Sequence, residues 1–430
     1  MVYLPHWPIP ASFGNAKIDY ELVFFRIKEI LEKLGNPHKT LSPSIHITGT
    51  NGKGSTAAFL SQILRDQKYS VNLYSSPHIH HVNERFLLNN TPISDSQLFN
   101  IIEEIRIANN NEKITFFEAM TCAAIIAFER NKADFNIFEV GMGARIDATN
   151  IIENRAASII TPISFDHEEY LGNNIVNIAF EKAHIIKSNS PLILGPQPQQ
   201  ANEIIELIAK DQNTPTVKYD QDFKIDINED YSFNFQSSKV NLRNISKPNL
   251  EGHHQYINAS IAIAASFEIG IEIDKIKISK SPAKTIWRNR LEKINGSLTK
   301  TLGEENEIFI DSAHNTGGAY AIANWIEEKK IECPRYRNIA IVGFSRNKCR
   351  SEFLKVLNRS FDEIFAIRVE EEPYPEESLK VKQIGEQNNI KVEIAQDLND
   401  AILKIKKISQ DKRVVICGSI HLARDLKKYN

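Results

Sequence analysis

The stretch Ile45–Arg65, IHITGTNGKGSTAAFLSQILR, constrains the fold more than any other part of the chain. Ile45–Thr48 alternates apolar residues in the manner of a short buried strand. Gly49, Gly52 and Gly54 then fall within six residues, with Lys53 between the last two. From Ser55 onward Ala57, Leu60, Ile63 and Leu64 recur at helical spacing. Strand, glycine loop and helix in that order build a phosphate-binding loop. Glycines let backbone N–H groups close on an anion, and the helix N-terminus adds partial positive charge. Lys53 is placed to reach the β- and γ-phosphates of a nucleotide, and the Ser55 hydroxyl to ligate Mg²⁺. The competing reading is a strand-to-helix turn that merely contains glycines, and the flanking strand and helix count against it. The spacing G-T-N-G-K-G-S departs from G-x-x-x-x-G-K-[ST], so an ordinary Walker A ATPase is not the first inference.

At 430 residues the chain has room for two or three domains with substantial cores. Its 42% hydrophobic and 25% charged residues are an ordinary soluble composition, and a net charge of -2 gives no electrostatic case for nucleic acid or an anionic membrane. No apolar run approaches the roughly 20 residues of a membrane span. The opening MVYLPHWPIP does not read as a secretory signal, because no basic segment precedes an apolar one. Cys122, Cys333, Cys349 and Cys417 are widely spaced without a C-x-x-C, which suits idle thiols in a reducing cytoplasm rather than disulfides or zinc.

Along the chain, Tyr20–Leu34 reads as a helix stopped by Gly35-Asn36-Pro37. After the phosphate loop, Val71–Ser75 reads as a strand running into SSPHIHHVNERF. His78, His80 and His81 suit no ordinary zinc spacing, so the segment reads as a substrate loop at a strand's carboxyl end, with Asn83, Glu84 and Arg85 as polar candidates. Ser94–Ile107 reads as a helix with an N-cap pair. Thr115-Phe116-Phe117-Glu118 leads into another, its aromatics either packing or stacking on a flat ring. Phe135–Val140 is a strand with Glu139 near its carboxyl end, where a Mg²⁺ ligand belongs in a phosphate-loop fold. Arg145 and Asp147 follow in a charged loop. His167 follows the strand Ala157–Ile163, and Lys182 falls in NIAFEKAHIIK, which reads as a helix, where a solvated lysine is the default reading.

The later elements are a strand at Ser190–Leu194, a helix at Gln199–Lys210, peripheral β-structure over Val217–Leu242 and a helix over Gly252–Ile269. SKSPAKT, residues Ser279–Thr285, marks the domain boundary. Beyond it, strands and helices alternate from Glu307 to Ile416, which predicts a second α/β domain with a mainly parallel sheet. The expected architecture is therefore α/β throughout, with a phosphate-loop ATPase domain over residues 1–281 and a smaller Rossmann-like domain over residues 285–430.

Taken in order, GTNGKGST, SSPH…NER, FEVGMGARIDATN, DHEEYLG, FEKAHIIK, WRNRLE and DSAHN resemble the folylpolyglutamate synthase family, often bifunctional with dihydrofolate synthase, within the Mur ligases. The resemblance implies that ATP phosphorylates a folate or dihydropteroate carboxylate and that the amine of L-glutamate displaces phosphate. It implies nucleotide binding by Gly49, Thr50, Asn51, Gly52, Lys53, Gly54, Ser55 and Thr56, with Asn258, Arg290, Asp311 and His314 from further along the chain. It implies one Mg²⁺ on Ser55 and Glu139, a second served by Glu139, His167 and a carbamylated Lys182, and charge stabilisation by Lys53. Pro77, His78, Asn83, Arg85, Thr115, Phe117, Arg145 and Asp147 would face the folate or pteroate, while the C-terminal domain would close over ATP and take glutamate. A cytoplasmic monomer acting on small molecules is implied.

The chain departs from the family's pattern at Asn289 and Ser312, which stand where W-x-G-R-L and D-G-A-H-N-P carry glycine, at Thr316 for the proline, at His184 for the glycine of E-K-A-G, and over Gly343–Lys348. Two alternatives stand beside the folate ligase. A Mur-type ligase for another carboxylate would call for a uridine-nucleotide domain ahead of the phosphate loop, where about 44 residues stand. A nucleotide-binding homologue without catalysis would lack ligands that this chain has.

Overall fold

The computed structural model describes residues 20–112, 114–346 and 350–429, the side chains of residues 20–22 excepted. The opening segment, Lys348 and Cys349 thus lie outside the described residues. The chain divides into two units. The second takes Ser164–Glu168, Pro248–Tyr256 and everything from Ile286 onward, and the first takes the rest.

In the first unit the strands are β1 Ser44–Thr48, β2 Val71–Tyr74, β3 Phe86–Leu88, β4 Thr91–Pro92, β5 Phe135–Glu139, β6 Arg155–Ile160, β7 Leu192–Leu194 and β8 Thr216–Lys218. They form one sheet in the order β4-β3-β2-β5-β1-β6-β7-β8, parallel except where β3 joins β2 and β4. β1 lies between β5 and β6, and both β1 and β5 are buried along their whole length. Both faces of β1 are covered, so the polar residues that alternate through SIHIT are buried and hydrogen-bonded: Ser44 to the Ser42 carbonyl, His46 to Thr149 and Thr48 to the Gly143 carbonyl.

The helices of this part of the chain are α1 Tyr20–Lys33, α2 Lys53–Asp66, α3 Asp95–Ala108, α4 Phe116–Arg130, α5 Glu168–Leu171, α6 Ile175–Ala183, α7 Gln199–Asp211, α8 His253–Glu268 and α9 Lys275–Lys284. One apolar cluster joins α1, α3 and α4 to the sheet through Ile27, Ile105, Phe128 and Phe138. Another joins α6 and α7 to it through Ile160, Ile178 and Ile205. A separate antiparallel sheet, β9 Phe223–Ile227, β10 Phe233–Ser237 and β11 Asn241–Ile245, realises the expected peripheral β-structure.

The second unit has the strands β12 Glu292–Lys293, β13 Glu307–Ile310, β14 Arg337–Val342, β15 Glu363–Ala366, β16 Glu393–Ile394 and β17 Lys412–Cys417. Their order is β12-β13-β17-β14-β15-β16, and all but the β12–β13 pair are parallel. The helices are α10 Ser297–Leu302, α11 Thr316–Glu332, α12 Arg350–Leu357, α13 Ser378–Gln387, α14 Leu398–Lys406 and α15 Leu422–Leu426. The α/β expectation holds for both units. Among the described residues no helix is long and apolar enough to cross a membrane.

The segment SKSPAKT is itself structured: its first six residues are the last six of α9, with Pro282 inside the helix. Ser281 donates to Asp66 at 2.7 Å and Lys284 pairs with the same carboxylate at 3.1 Å, so tertiary anchoring to α2 holds a polar segment helical.

Phe128 is 1% exposed and its ring lies 5.1 Å from that of Phe138. Phe128→Ala should cost about 3–5 kcal/mol in urea denaturation. Phe25→Ala, at a ring 63% exposed on α1, should stay within about 0.5 kcal/mol.

Candidate active site

β1 turns into α2 through Gly49 at φ +142° and Gly52 at φ +88°. A side chain at Gly49 would collide with the hydroxyl and carbonyl of Thr161, and one at Gly52 with the amide of Asn258. Asn258 therefore lies against the loop at Gly52. Thr50 and Asn51 donate their backbone N–H groups to the Pro162 carbonyl, at 3.0 and 3.2 Å. Those two amides are thus engaged within the fold. What remains is the first turn of α2, which begins at Lys53, and no side chain caps that helix. Its leading N–H groups have no intrahelical acceptor and carry the positive end of the helix dipole.

Lys53 Nζ lies 3.2 Å from the carbonyls of both Gly49 and Thr50. Lys182, reached from α6, is buried and donates to the same Gly49 carbonyl at 2.8 Å. It is not a solvated lysine. Two amines thus converge on one edge of the loop, an arrangement suited to a polyanion. The hydroxyls of Ser55 and Thr56 are buried and have no hydrogen-bond partner among the described residues. Glu139, one strand over and level with Ile47, is buried and accepts from the Ser76 N–H at 3.2 Å.

Among the described residues no three His, Cys, Asp or Glu side chains gather as a metal site by themselves. Mg²⁺ does not need such a cage, because it keeps waters and phosphate oxygens and takes one or two protein oxygens. The orphaned Ser55 hydroxyl and the Glu139 carboxylate fit that requirement. Lys182, as an amine, donates rather than ligates.

The loops beside this centre are tightly organised. Glu84 gathers the N–H groups of Ile79, His80 and His81, at 2.7–3.3 Å, shaping the turn after the cis Ser76–Pro77 peptide. Arg85 donates to His78 at 2.9 Å and lies over the Phe116 ring at 5.2 Å. Asn83 holds the Ile93 carbonyl and Asp95, so its amide serves the loop. Thr115 caps α4 in a reciprocal box with Glu118, and Glu118 also binds Arg26 at 2.5 Å. The Phe117 ring presses on Gly141 so closely that a β-carbon there would come within 2.6 Å of it. Arg145 pairs with Glu181 at 2.8 Å. Asp147 accepts from the backbone N–H groups of Gly141, Met142 and Thr149 and from the Thr149 hydroxyl. Burial pushes its carboxyl above the usual range, and these donors pull it back.

Within the second unit Asp166 accepts from His314 at 3.2 Å and from the Asn315 amide at 3.0 Å, while its other oxygen takes the His167 N–H at 2.9 Å. His167 has φ +53° and a side chain 40% exposed. Asp311 is buried and accepts from Leu291 and Ala313 N–H at 2.9 and 2.7 Å, so it ties the Arg290 loop to the end of β13. Arg290 lines a cleft of about 760 Å³ with Trp287, Trp325, Lys329 and Tyr336. Burial, with Arg290 next to it, pushes His254 down to about 4.

Residues 47–266 match the Mur ligase middle domain and residues 293–429 the dihydrofolate synthetase C-terminal domain. Over 424 residues the chain is 30% identical to dihydrofolate synthetase of Saccharomyces cerevisiae, spanning 94% of this chain and 97% of that one. The chain belongs to the folylpolyglutamate/dihydrofolate synthase family of Mur ligases. Dihydrofolate synthase/folylpolyglutamate synthase of Bacillus subtilis is likewise 30% identical, over 96% of each chain. Among solved structures, Mycobacterium tuberculosis folylpolyglutamate synthase complexed with ADP and AMPPCP superposes with a TM-score of 0.82 at 27% identity, covering 94% of both chains. E. coli FolC in complex with DHPP and ADP gives 0.83 at 25%, covering 94% of this chain and 92% of that one. This member of the folylpolyglutamate/dihydrofolate synthase family is accordingly an ATP-dependent, amide-forming ligase, and neither alternative class is favoured.

Several departures from the family pattern have local explanations. Asn289 stands at φ +57°, a left-handed conformation that asparagine tolerates better than most residues, so the glycine's backbone shape is kept. Thr316 opens α11 with Asn315 as its cap, a first-turn position where proline is favoured but not required. His184 caps the end of α6, bonding the Phe180 carbonyl at 2.8 Å. Nothing in the structure explains Ser312. Sequence reasoning missed Asp166, Asn315 and Glu181 as organising groups, although the acid beside His167 was a usable signal.

His254 sits below its ordinary value of 6.5, so between about 4 and 6.5 only the unfolded chain binds its proton, and stability contributed there falls as pH falls. The loss should approach about 1.4 kcal/mol per pH unit across that window. The raised carboxyls of Asp147 and Asp311 act in the opposite sense. The measurement is therefore the difference in pH-dependent melting between the wild type and His254→Gln. A variant whose profile parallels the wild type would refute the buried neutral ring.

Proposed function

We propose that this protein uses ATP to join L-glutamate to the carboxylate of dihydropteroate, and by the same chemistry to a reduced folate. The observation that carries the reading is the convergence at the end of β1. Lys53 and Lys182 meet on the Gly49 carbonyl, the Ser55 hydroxyl is buried without a partner, and Glu139 ends the neighbouring strand. Dihydropteroate as acceptor is supported by the C-terminal match to dihydrofolate synthetase and by the yeast relative's name.

The acceptor carboxylate oxygen attacks the γ-phosphorus, the bond to the ADP oxygen breaks, and an acyl phosphate forms. The glutamate amine then attacks the acyl carbon, releasing phosphate and a proton. Lys53 and the first-turn amides of α2 stabilise charge on the transferring phosphoryl group. Ser55 and Glu139 would hold Mg²⁺, which offsets repulsion between carboxylate and triphosphate. A second ion would draw on Glu139, His167 and Lys182, the last as its carbamate. Phe117 and Arg85 with His78 would flank the pteridine-bearing acceptor. Asn258, Arg290, Asp311 and His314 would serve the nucleotide, and residues 285–430 would take glutamate.

Phosphate release with ATP, Mg²⁺ and glutamate tests the reading. Turnover with dihydropteroate is expected, with tetrahydrofolate as a second acceptor, and turnover with neither would sink it. Ser55→Ala should lower kcat by about 10–100-fold and raise the Mg²⁺ requirement. Binding of ADP without metal should be unchanged, and an unaltered Mg²⁺ dependence would remove Ser55 from the metal site. Withdrawal of CO₂ from the buffer should reversibly lower turnover if Lys182 works as a carbamate.

A further inference from the structure

A continuous hydrogen-bonded chain runs beneath the loop that follows β5. Arg155, at the start of β6, donates from Nη1 to Nδ1 of His46 and from Nη2 to Asn150 at 3.0 Å. His46 is 1% exposed on β1, at the centre of the sheet, and its Nε2 lies 2.6 Å from the Thr149 hydroxyl. That hydroxyl lies 2.5 Å from Oδ1 of Asp147, whose Oδ2 takes the Gly141 and Met142 N–H groups at 2.9 and 3.1 Å.

The donors and acceptors admit one ordering. A guanidinium only donates, so Nδ1 of His46 must accept and the ring proton sits on Nε2. Nε2–H then donates to Thr149, which leaves the single hydroxyl proton for Asp147. Asp147 meets donors at both oxygens, which the carboxylate accepts and a protonated acid would partly oppose. The arrangement needs a neutral imidazole, and burial together with Arg155 holds His46 well below its ordinary range.

We propose that His46 and Thr149 are positioning residues for the acceptor site, acting through Asp147 on the Gly141–Met142 turn. That turn begins two residues after Glu139 and bears the Phe117 ring on its glycine. A shift of the Asp147 carboxylate releases two backbone amides and moves the surface against which Phe117 is placed. The phosphate loop, held by Thr161 and Pro162, is fixed by other contacts. The proposal rests on the acceptor reading of Phe117 and its loop given above, and it separates acceptor binding from nucleotide binding.

Thr149→Val keeps the shape and removes the hydroxyl, leaving His46 Nε2–H and Asp147 Oδ1 each short of a partner. The expected result is a rise of about tenfold or more in KM for dihydropteroate, with KM for ATP within about twofold of wild type. Thr149→Ser should restore the acceptor KM. His46→Gln should be mild, since its carbonyl can accept from Arg155 and its amide donate to Thr149, whereas His46→Leu should resemble Thr149→Val. Equal changes in both KM values, or a lowered melting temperature with neither KM moved, would overturn the proposal and leave the chain a structural tie. If the valine variant fails to fold, amide exchange of the wild type decides. Gly141 and Met142 should exchange at least about tenfold slower than unprotected amides, and free exchange would overturn the proposal. A wild type inactive with both acceptors would instead refute the folate reading and the proposal with it. Activity with an unmoved acceptor KM refutes the proposal alone.

Discussion

The active site depends on how closely the backbone at Gly49 and Gly52 approaches its neighbours. Both residues hold left-handed φ values, and each is pressed against another segment, Gly49 on Thr161 and Gly52 on Asn258. Only a residue without a β-carbon meets both demands at once. The close approach at Gly49 brings the end of β6 against the loop, and the parallel pairing of β1 with β5 sets Glu139 level with Ile47. The phosphate loop, the candidate metal carboxylate and the loop after β5 therefore lie together at the carboxyl ends of neighbouring parallel strands. Carboxyl ends of parallel strands are where open α/β sheets place ligands, and here the reason can be traced to individual atoms.

Polar groups at this edge are left unsatisfied within the fold. Ser55 and Thr56 bury hydroxyls without partners among the described residues, and two lysines share a single carbonyl. Each buried unpaired polar group costs about 1–3 kcal/mol. The N-terminus of α2 also lacks the side-chain cap that α3, α4, α6 and α9 have. Unpaired buried hydroxyls and clustered amines are groups that an anionic ligand with a cation can satisfy.

Much of the architecture was legible because fully buried strands and amphipathic helices leave strong periodic signals. β5 was readable to within a residue, and α3 was recognisable from Ser94, its cap. The β3–β4 hairpin was overlooked although Asn89 and Asn90, both left-handed, form the kind of turn that two adjacent asparagines announce. Within the site, sequence identified which residues matter better than what they touch. Asn83, Thr115 and Asp147 are polar loop residues, and sequence cannot tell a side chain that faces a ligand from one that holds its own backbone. The structure shows all three engaged in the second task. Lys182 was the opposite case, since its burial and its bond to Gly49 depend on how α6 packs, which no local pattern encodes.

Asn289 and Ser312 extend this point to the second unit. Each stands where the family pattern carries glycine, and the Ser312 N–H bonds the Asn289 carbonyl at 3.1 Å, so the two replacements are neighbours. The backbone accepts both: Asn289 takes the left-handed conformation, and Ser312 needs no special one. The side chains are less well served, because Asn289 Nδ2 and Ser312 Oγ are buried without partners among the described residues. Asp311, between Arg290 and these two positions in the fold, spends its carboxylate on Leu291 and Ala313 and offers them nothing. Two glycines would have left no orphaned atoms here. The Arg290 loop is thus held by Asp311, with a local polar deficit beside it.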